Sequence, residues 1–303
     1  MRILEPEMRT DTDVDALSRG RAFVDLSRWR KVAVRGADAR SWLNGLVSAD
    51  IGDLRPGEAR RSLLLSPTGA VRAEFTIAAV GDELMVLQDP DQERPVDSLL
   101  APYVLSADVR LADRADELAV FAFPLEPAGL GEAAGLAGSE RTRPSCVGDG
   151  AGVDVLTPRS DHDRAVAALS VSHRAVGPGA LEAWRVAAGI PSATRDVSDG
   201  DLPDEVGLAG AVAGDKGCYL GQEAVAKARN LGHPRRILVH VTADAPLMRG
   251  DEVRAGESAV GTITSVAEVD GRSVALARVQ WGARERSLTT GSGARLTPAR
   301  RPD

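Results

Sequence analysis

Residues 214–236 read GDKGCYLGQEAVAKARNLGHPRR, and the character of the chain changes across them. Gly217 and Gly221 bracket Cys218-Tyr219-Leu220, and a helix-prone run, 222–229, follows at once. Beyond Arg236 the pattern turns all-β. Residues 237–242, 252–255, 259–266 and 273–280 alternate or are β-rich, and Gly250, Gly256 and Asp270-Gly271 punctuate them. Such short, turn-bounded strands predict a small barrel or sandwich closing the chain.

Upstream the order is mixed. Strands are expected at 23–26, 31–34, 60–65, 70–79, 84–87, 109–112, 118–123 and 153–156. Gly81-Asp82 marks a tight turn, so 70–79 and 84–87 should form an antiparallel hairpin. Residues 39–47 read as a helix because Trp42, Leu43, Leu46 and Val47 share one side. Helices are also expected at 97–105, 162–169 and 180–188, the last ended by Gly189 and Pro191. Residues 124–152 are rich in Pro, Gly and Ala and read as loop or linker. Strands and helices that do not alternate strictly argue for an α+β fold over a doubly wound sheet.

The 303 residues suffice for two or three compact domains. No apolar run approaches the length of a spanning helix. The opening MRILEPEMRTDTDVD is acidic and lacks the apolar core of a secretory signal, which places the chain in the cytoplasm. Lys+Arg 37 against Asp+Glu 44 gives −7, a balance that disfavours nucleic acid as a tight partner. Only Lys31, Lys216 and Lys227 are lysines, so a lysine inside a motif stands out.

Several chemistries fall away. Cys146 and Cys218 are the only cysteines, too few for a four-thiolate zinc or iron–sulfur site within one chain. The histidines (His162, His173, His233 and His240) show no ligand-like pairing, and no metal site is expected. Asp161-His162-Asp163 reads as a solvated helix start. Gly129–Ala134 fits a loose dinucleotide-binding pattern, but prolines precede it where a strand is required. No nucleophile elbow or Walker A loop is present.

Cys218 is the residue to weigh. Close to a helix N-terminus and two residues after Lys216, it sits where dipole and cation both favour thiolate. An ordinary thiol, with a pKa of about 8.5, is only a few per cent ionised near neutrality. The same position suits a buried, inert cysteine. Spacing alone leaves both open.

The run KGCYLGQE at 216–223 resembles the K-G-C-Y-x-G-Q-E signature of the YgfZ-type folate-binding proteins, relatives of the glycine-cleavage T-protein. Trp184–Pro191 resembles that family's R-x-A-A-G-I-P segment, and Leu202-Pro203-Asp204-Glu205 its approach to the signature. Phe23–Ser27, Gly36–Ala39, Leu43, Asp50-Ile51 and Gly57 follow the superfamily's opening pattern, and Val260–Ser265 its C-terminal barrel. The resemblance implies a three-module ring, two interleaved α+β units over residues 1–230 and a β-barrel over 231–303. It implies tetrahydrofolate, or a one-carbon derivative, bound in the central opening. It assigns Cys218 and Lys216 to chemistry, and Tyr219, Gln222, Glu223 and Arg185 to the folate site. Arg229, Arg235 or Arg236 would pair the carboxylates of a glutamate tail, which guanidinium matches bidentately.

The resemblance also implies a function: folate-dependent upkeep of iron–sulfur enzymes, with a one-carbon transfer at Cys218 as one route. The competing reading is a non-catalytic folate-binding scaffold for client proteins. Aminomethyltransferase activity is disfavoured, because Arg72 and Ala73 stand where the superfamily's acids are expected, Glu74 is one position off, and Ala187 replaces a pterin-gripping Glu. The family's tRNA-modification label fits only if Arg229, Arg235 and Arg236 form a local basic patch.

Overall fold

In the computed structural model, which describes residues 7–127, 129–130, 138–148, 150–230 and 232–299, strand pairing divides the chain into three sheets. After helix α1 (Glu7–Ser18) comes β1 (Ala22–Asp25), the first strand of a five-stranded sheet that the chain then leaves. It builds a second, nested sheet from β2 (Arg30–Arg35), β3 (Ala59–Leu65), β4 (Val71–Val80), β5 (Glu83–Gln88) and β6 (Arg110–Asp113), in the order β3-β4-β5-β2-β6. Helices α2 (Ala39–Asn44) and α3 (Val96–Leu100) pack on one face of it around Leu43, Phe75, Ile77 and Val86.

The chain then returns to the first sheet with β7 (Leu118–Phe123), β8 (Glu140–Thr142), β9 (Val153–Pro158) and β10 (Arg174–Val176), in the order β10-β1-β7-β9-β8. Between β9 and β10 lies α4 (His162–Leu169), whose Ala165 and Leu169 cover Phe23, Phe121 and Phe123. After β10 comes α5 (Pro178–Ala187), with Pro at its first position, where a missing N–H costs nothing. Together α1 and α5 cover the opposite face of the sheet through Val14, Leu17, Ala183 and Trp184.

The last module is a closed barrel of β11 (Arg236–Ala243), β12 (Glu252–Ala255), β13 (Ser258–Val269), β14 (Arg272–Gln280), β15 (Leu288–Thr290) and β16 (Arg295–Pro298). The expected α+β architecture with interleaved units and a C-terminal barrel is what the pairing shows. Three local expectations need correction, and one element was not expected at all. The helix expected over 39–47 stops at Asn44, because the chain turns there to bridge Val47 to Leu64 along the nested sheet. The helix expected over 97–105 ends at Leu100 and continues as one 3₁₀ turn, Ala101–Tyr103. The stretch taken as linker contains β8, and residues 131–134 of the glycine-rich pattern lie outside the described residues. The acidic opening carries α1, which sequence periodicity did not reveal.

Candidate functional site

Where the two sheets meet α5, the fold leaves a cavity of about 400 Å³. Its walls come from the β1–β2 turn, β3 and β4, the 89–92 loop, Cys146 and Val147, α5 and the 190–195 segment. No barrel residue lines it.

Each wall is fixed by identifiable contacts. The β1–β2 turn carries Arg28 and Trp29 to the cavity, and the fully buried Lys31 holds it by donating to Ser27 O at 2.7 Å and Trp29 O at 2.8 Å. Burial pulls the Lys31 pKa down to about 8. The 89–92 loop is tied by Arg30, which donates to Gln88 Oε1 and to the carbonyls of Asp89, Pro90 and Gln92. Gln92 in turn clamps the Glu74 backbone, accepting from its N–H at 2.9 Å and donating to its carbonyl at 2.7 Å. A side chain thus supplies the pairing that β5, which meets β4 only from Thr76 onward, does not reach.

The inner wall is ionic. A bulge in the β3–β4 ladder leaves Arg72 unopposed, exposed to solvent, and Ala73 buried. Arg61 pairs with Thr76 and Leu63 with Glu74, so Arg61 and Glu74 are diagonal neighbours on one face. Their side chains form an ion pair, and Arg61 also donates to Pro191 O at 2.7 Å. The second Glu74 oxygen accepts from the Ala193 N–H at 2.8 Å. Glu74 faces the cavity, therefore, but its charge is already matched.

Arg185 is matched still more completely. Its Nε and Nη2 hold Glu182 at 2.6 and 2.5 Å, Nη1 reaches Ile190 O and Asp196 at 3.0 Å, and Nη2 also donates to Ser265 Oγ at 2.9 Å. These contacts use all five donors of the guanidinium. Asp196, 1% exposed, accepts from Ser192 N–H and from both Thr264 Oγ1 and Ser265 Oγ. Neighbouring strand residues normally point to opposite faces; here a bulge in β13 at Thr264 lets both hydroxyls meet one carboxylate. Arg185 borders the cavity, but its role is to fasten α5 and the 190–196 segment to the barrel.

Two cavity cations are left over. Arg28 and Arg195 are exposed and make no side-chain ion pair or hydrogen bond to another described residue. Asp89 lies on the same cavity, with burial holding its carboxyl above the ordinary range. Cys146 also borders the cavity. Burial, then the neighbouring Asp154 charge, pushes its thiol well above the usual value. Asp154, itself fully buried, is raised to about 6 by desolvation.

The signature segment lies elsewhere. None of Lys216, Cys218, Tyr219, Gln222, Glu223, Arg229 or Arg236 lines the cavity. Lys216 is buried, its ammonium donating to Asn44 O at 2.7 Å, Val47 O at 2.8 Å and Ala49 O at 2.7 Å, with Asn44 Oδ1 at 3.1 Å. It caps the carbonyl end of α2 and the turn beyond, and its protons go to oxygen. Tyr219 packs with Leu63, Leu65, Val71 and Val225 on the second face of the nested sheet. Gly221 has φ +82°, and a Cβ there would stand 2.4 Å from Ser66 O, so only glycine fits. Just beyond, α6 (Gln222–Asn230) begins, with Glu223 exposed. Cys218 is left exposed between anchored neighbours. Arg229 pairs with Asp204 at 3.1 Å, and Arg235 and Arg236 are exposed at the start of β11. The residues that sequence reasoning missed, Arg28, Trp29 and Arg195, carry no motif. The available signal was an aromatic residue beside a cation in the opening pattern.

Comparison with known proteins agrees with this architecture. Residues 7–124 match the GCVT N-terminal domain family. A chloroplastic protein of Arabidopsis thaliana is 24% identical over 283 residues, covering 87% of this chain and 66% of its own length. An aminomethyltransferase of Streptomyces coelicolor is 26% identical over 287 residues, covering 84% of this chain and 77% of its own. The crystal structure of the glycine cleavage system aminomethyltransferase T from Bartonella henselae superposes with a TM-score of 0.79 at 18% identity, over 94% of this chain and 87% of that one. The chain has the T-protein fold, with aminomethyltransferases among its relatives. None of its described helices is long and apolar enough to cross a membrane.

Proposed function

We propose that this protein binds tetrahydrofolate, or a one-carbon derivative of it, in the cavity between the two sheets, and acts in the upkeep of iron–sulfur enzymes. The observation that carries the binding reading is the cavity's division of labour. Its inner ion pairs are satisfied, while Arg28, Arg195, Trp29 and Asp89 are left to meet a ligand. A reduced folate needs a flat apolar contact for its rings, carboxylate acceptors for its N–H groups and cations for its glutamate tail. Trp29 supplies the first, Asp89 the second, and Arg28 with Arg195 the third. A bound folate would supply one-carbon chemistry. The protein's own residues orient it, exclude water and match its charge.

The matched state of Glu74 favours this reading over aminomethyl transfer, since a carboxylate already paired with Arg61 is a weak partner for a developing ammonium. The iron–sulfur role rests on the resemblance of the 216–223 signature. Cys218 stands on the surface and not on the cavity, which favours contact between this thiol and a client protein over a one-carbon step at its sulfur.

Anaerobic calorimetry with tetrahydrofolate tests the binding reading. One site per chain is expected, with Arg28→Ala and Arg195→Ala each weakening it by about tenfold, the effect of one charge-assisted contact. Absence of heat at high micromolar folate refutes it. For the iron–sulfur role, a strain lacking the protein should lose iron–sulfur enzyme activity, restored by the wild-type chain and not by Cys218→Ser.

A further inference from the structure

Asp25, on which β1 ends, lines the cavity, and its side chain meets that of His162, on which α4 begins and which lies outside the lining. His162 Nε2 lies 2.7 Å from Asp25 Oδ2, and Nδ1 lies 2.8 Å from Asp163 Oδ1. The ring also packs on Phe121, with centroids 5.5 Å apart. The other Asp25 oxygen accepts from the Ser27 N–H at 2.8 Å. Asp25 lines the cavity beside Arg28 and Trp29. With a carboxylate at each ring nitrogen, only the imidazolium satisfies both contacts as donor.

We propose that His162 is a positioning residue: as the imidazolium, it fixes Asp25 as a hydrogen-bond acceptor for an N–H-bearing group of the cavity ligand, so that occupancy of the cavity follows the protonation of one ring. This inference rests on the reading of the cavity as the ligand site. Carboxylates accept through two lone pairs on each oxygen, so Asp25 keeps acceptor capacity after Ser27 and His162 are served.

The charges around the ring are few. Asp163 on its own helix and Asp25 across from it raise the His162 pKa above the ordinary value, in that order, while burial and Arg159 oppose them. Lys31 in β2 faces the same Asp25 and Arg159 charges. At Asp25 burial works upward, but the bonds from Ser27 and His162 outweigh it and leave the carboxyl below its usual range. Among the ring, Asp25 and Asp163, the ring is the member that changes charge through the neutral range. Lys31, brought down to about 8 by burial, loses its charge at the upper end of that range, and His162→Gln, which keeps Lys31, separates the two. Loss of the ring proton removes one of the ring's two donors and takes these three groups from one net negative charge to two. Both changes act the same way on a ligand with an anionic tail. Binding is tight below the His162 pKa and weakens as pH rises through it. By linkage, ligand binding raises that pKa further.

Tetrahydrofolate calorimetry from about pH 6 to about pH 8.5 spans the titration of a raised histidine. The wild type should bind about tenfold more weakly at the upper end, the loss of one charge-assisted hydrogen bond. His162→Gln should bind weakly at every pH, and His162→Arg, which keeps the cation, tightly at every pH. Melting temperatures at matched pH separate these effects from loss of fold. A His162→Gln variant with the wild-type dissociation constant and pH profile overturns the proposal. The ring is also read without ligand, by NMR titration of its Cε1–H. A titration at or below the ordinary value of about 6.5, or one unmoved by Asp163→Asn, overturns the positioning role even if no folate binds. Failure of folate to bind at any pH, with His162 still titrating high, rejects the cavity reading alone.

Discussion

Replacing Lys216 by methionine decides whether this lysine serves chemistry or the fold. The substitution nearly keeps the stem but withdraws the donors from Asn44 O, Val47 O and Ala49 O, each within 2.8 Å of the ammonium. Val47 O and Ala49 O, both buried, would be left unpaired at roughly 1–2 kcal/mol each, and the partly buried Asn44 O at less. Part of that is offset, because the ammonium is itself buried and its pKa is pulled down to about 8. The net expectation is a loss of about 3 kcal/mol, large against a typical total stability. Equilibrium urea unfolding, followed by tryptophan fluorescence, should show a lower midpoint with an unchanged slope. The alkylation rate of Cys218 in the folded variant should not fall, since the ammonium is committed to oxygen. An unchanged midpoint with Cys218 alkylating several-fold more slowly would refute the structural assignment and restore Lys216 as activator of the thiol.

Two further outcomes follow from the geometry. In the native protein a small alkylating reagent should modify Cys218 and spare Cys146, whose thiol is pushed up by burial and by Asp154; mass spectrometry of the modified chain reads the ratio, and preferential labelling of Cys146 contradicts the placement. Asp196→Ala strips Arg185, Thr264 and Ser265 of their shared acceptor and should cost about 3–5 kcal/mol, the range for breaking a buried pair; a variant within about 1 kcal/mol of wild type by urea unfolding would mean that the network does not fasten the barrel.

Much of the fold was legible because it rests on local pattern. The hairpin at Gly81-Asp82, the barrel strands and the stop at Gly189 each follow from residues close in sequence. The short strands β8 and β10 were not, since three residues carry no period and pairing partners alone define them. The site was the less legible part. Arg185 was assigned to the folate site by the resemblance. That its donors are taken up was not legible, since two of the partners, Asp196 and Ser265, sit 11 and 80 residues away, the farther one on a strand whose bulge no periodicity reveals. Arg28 and Arg195 were two arginines among many, and what distinguishes them is a place on the cavity without a side-chain partner among the described residues, a property of the folded chain. Cysteine context favoured Cys218, with a lysine and a helix beside it. The thiol that reaches the cavity is Cys146, carried there from a stretch of proline and glycine by its contact with Asp154.

The nesting of one sheet inside the other sets an order on synthesis. All five strands of the nested sheet lie between residues 30 and 113, so that unit has every partner in hand once a little over a third of the chain has left the ribosome. Its neighbour must wait, because β1 emerges early but pairs with β7 and β10, the latter some 150 residues later. The cavity draws on residues from Asp25 to Arg195, and its walls are complete only when α5 and the 190–195 segment have docked. Domains generally fold as units during translation, N-terminal first. Here the nascent chain holds a finished sheet well before it holds a pocket, and a ligand can select only molecules whose translation has passed that point.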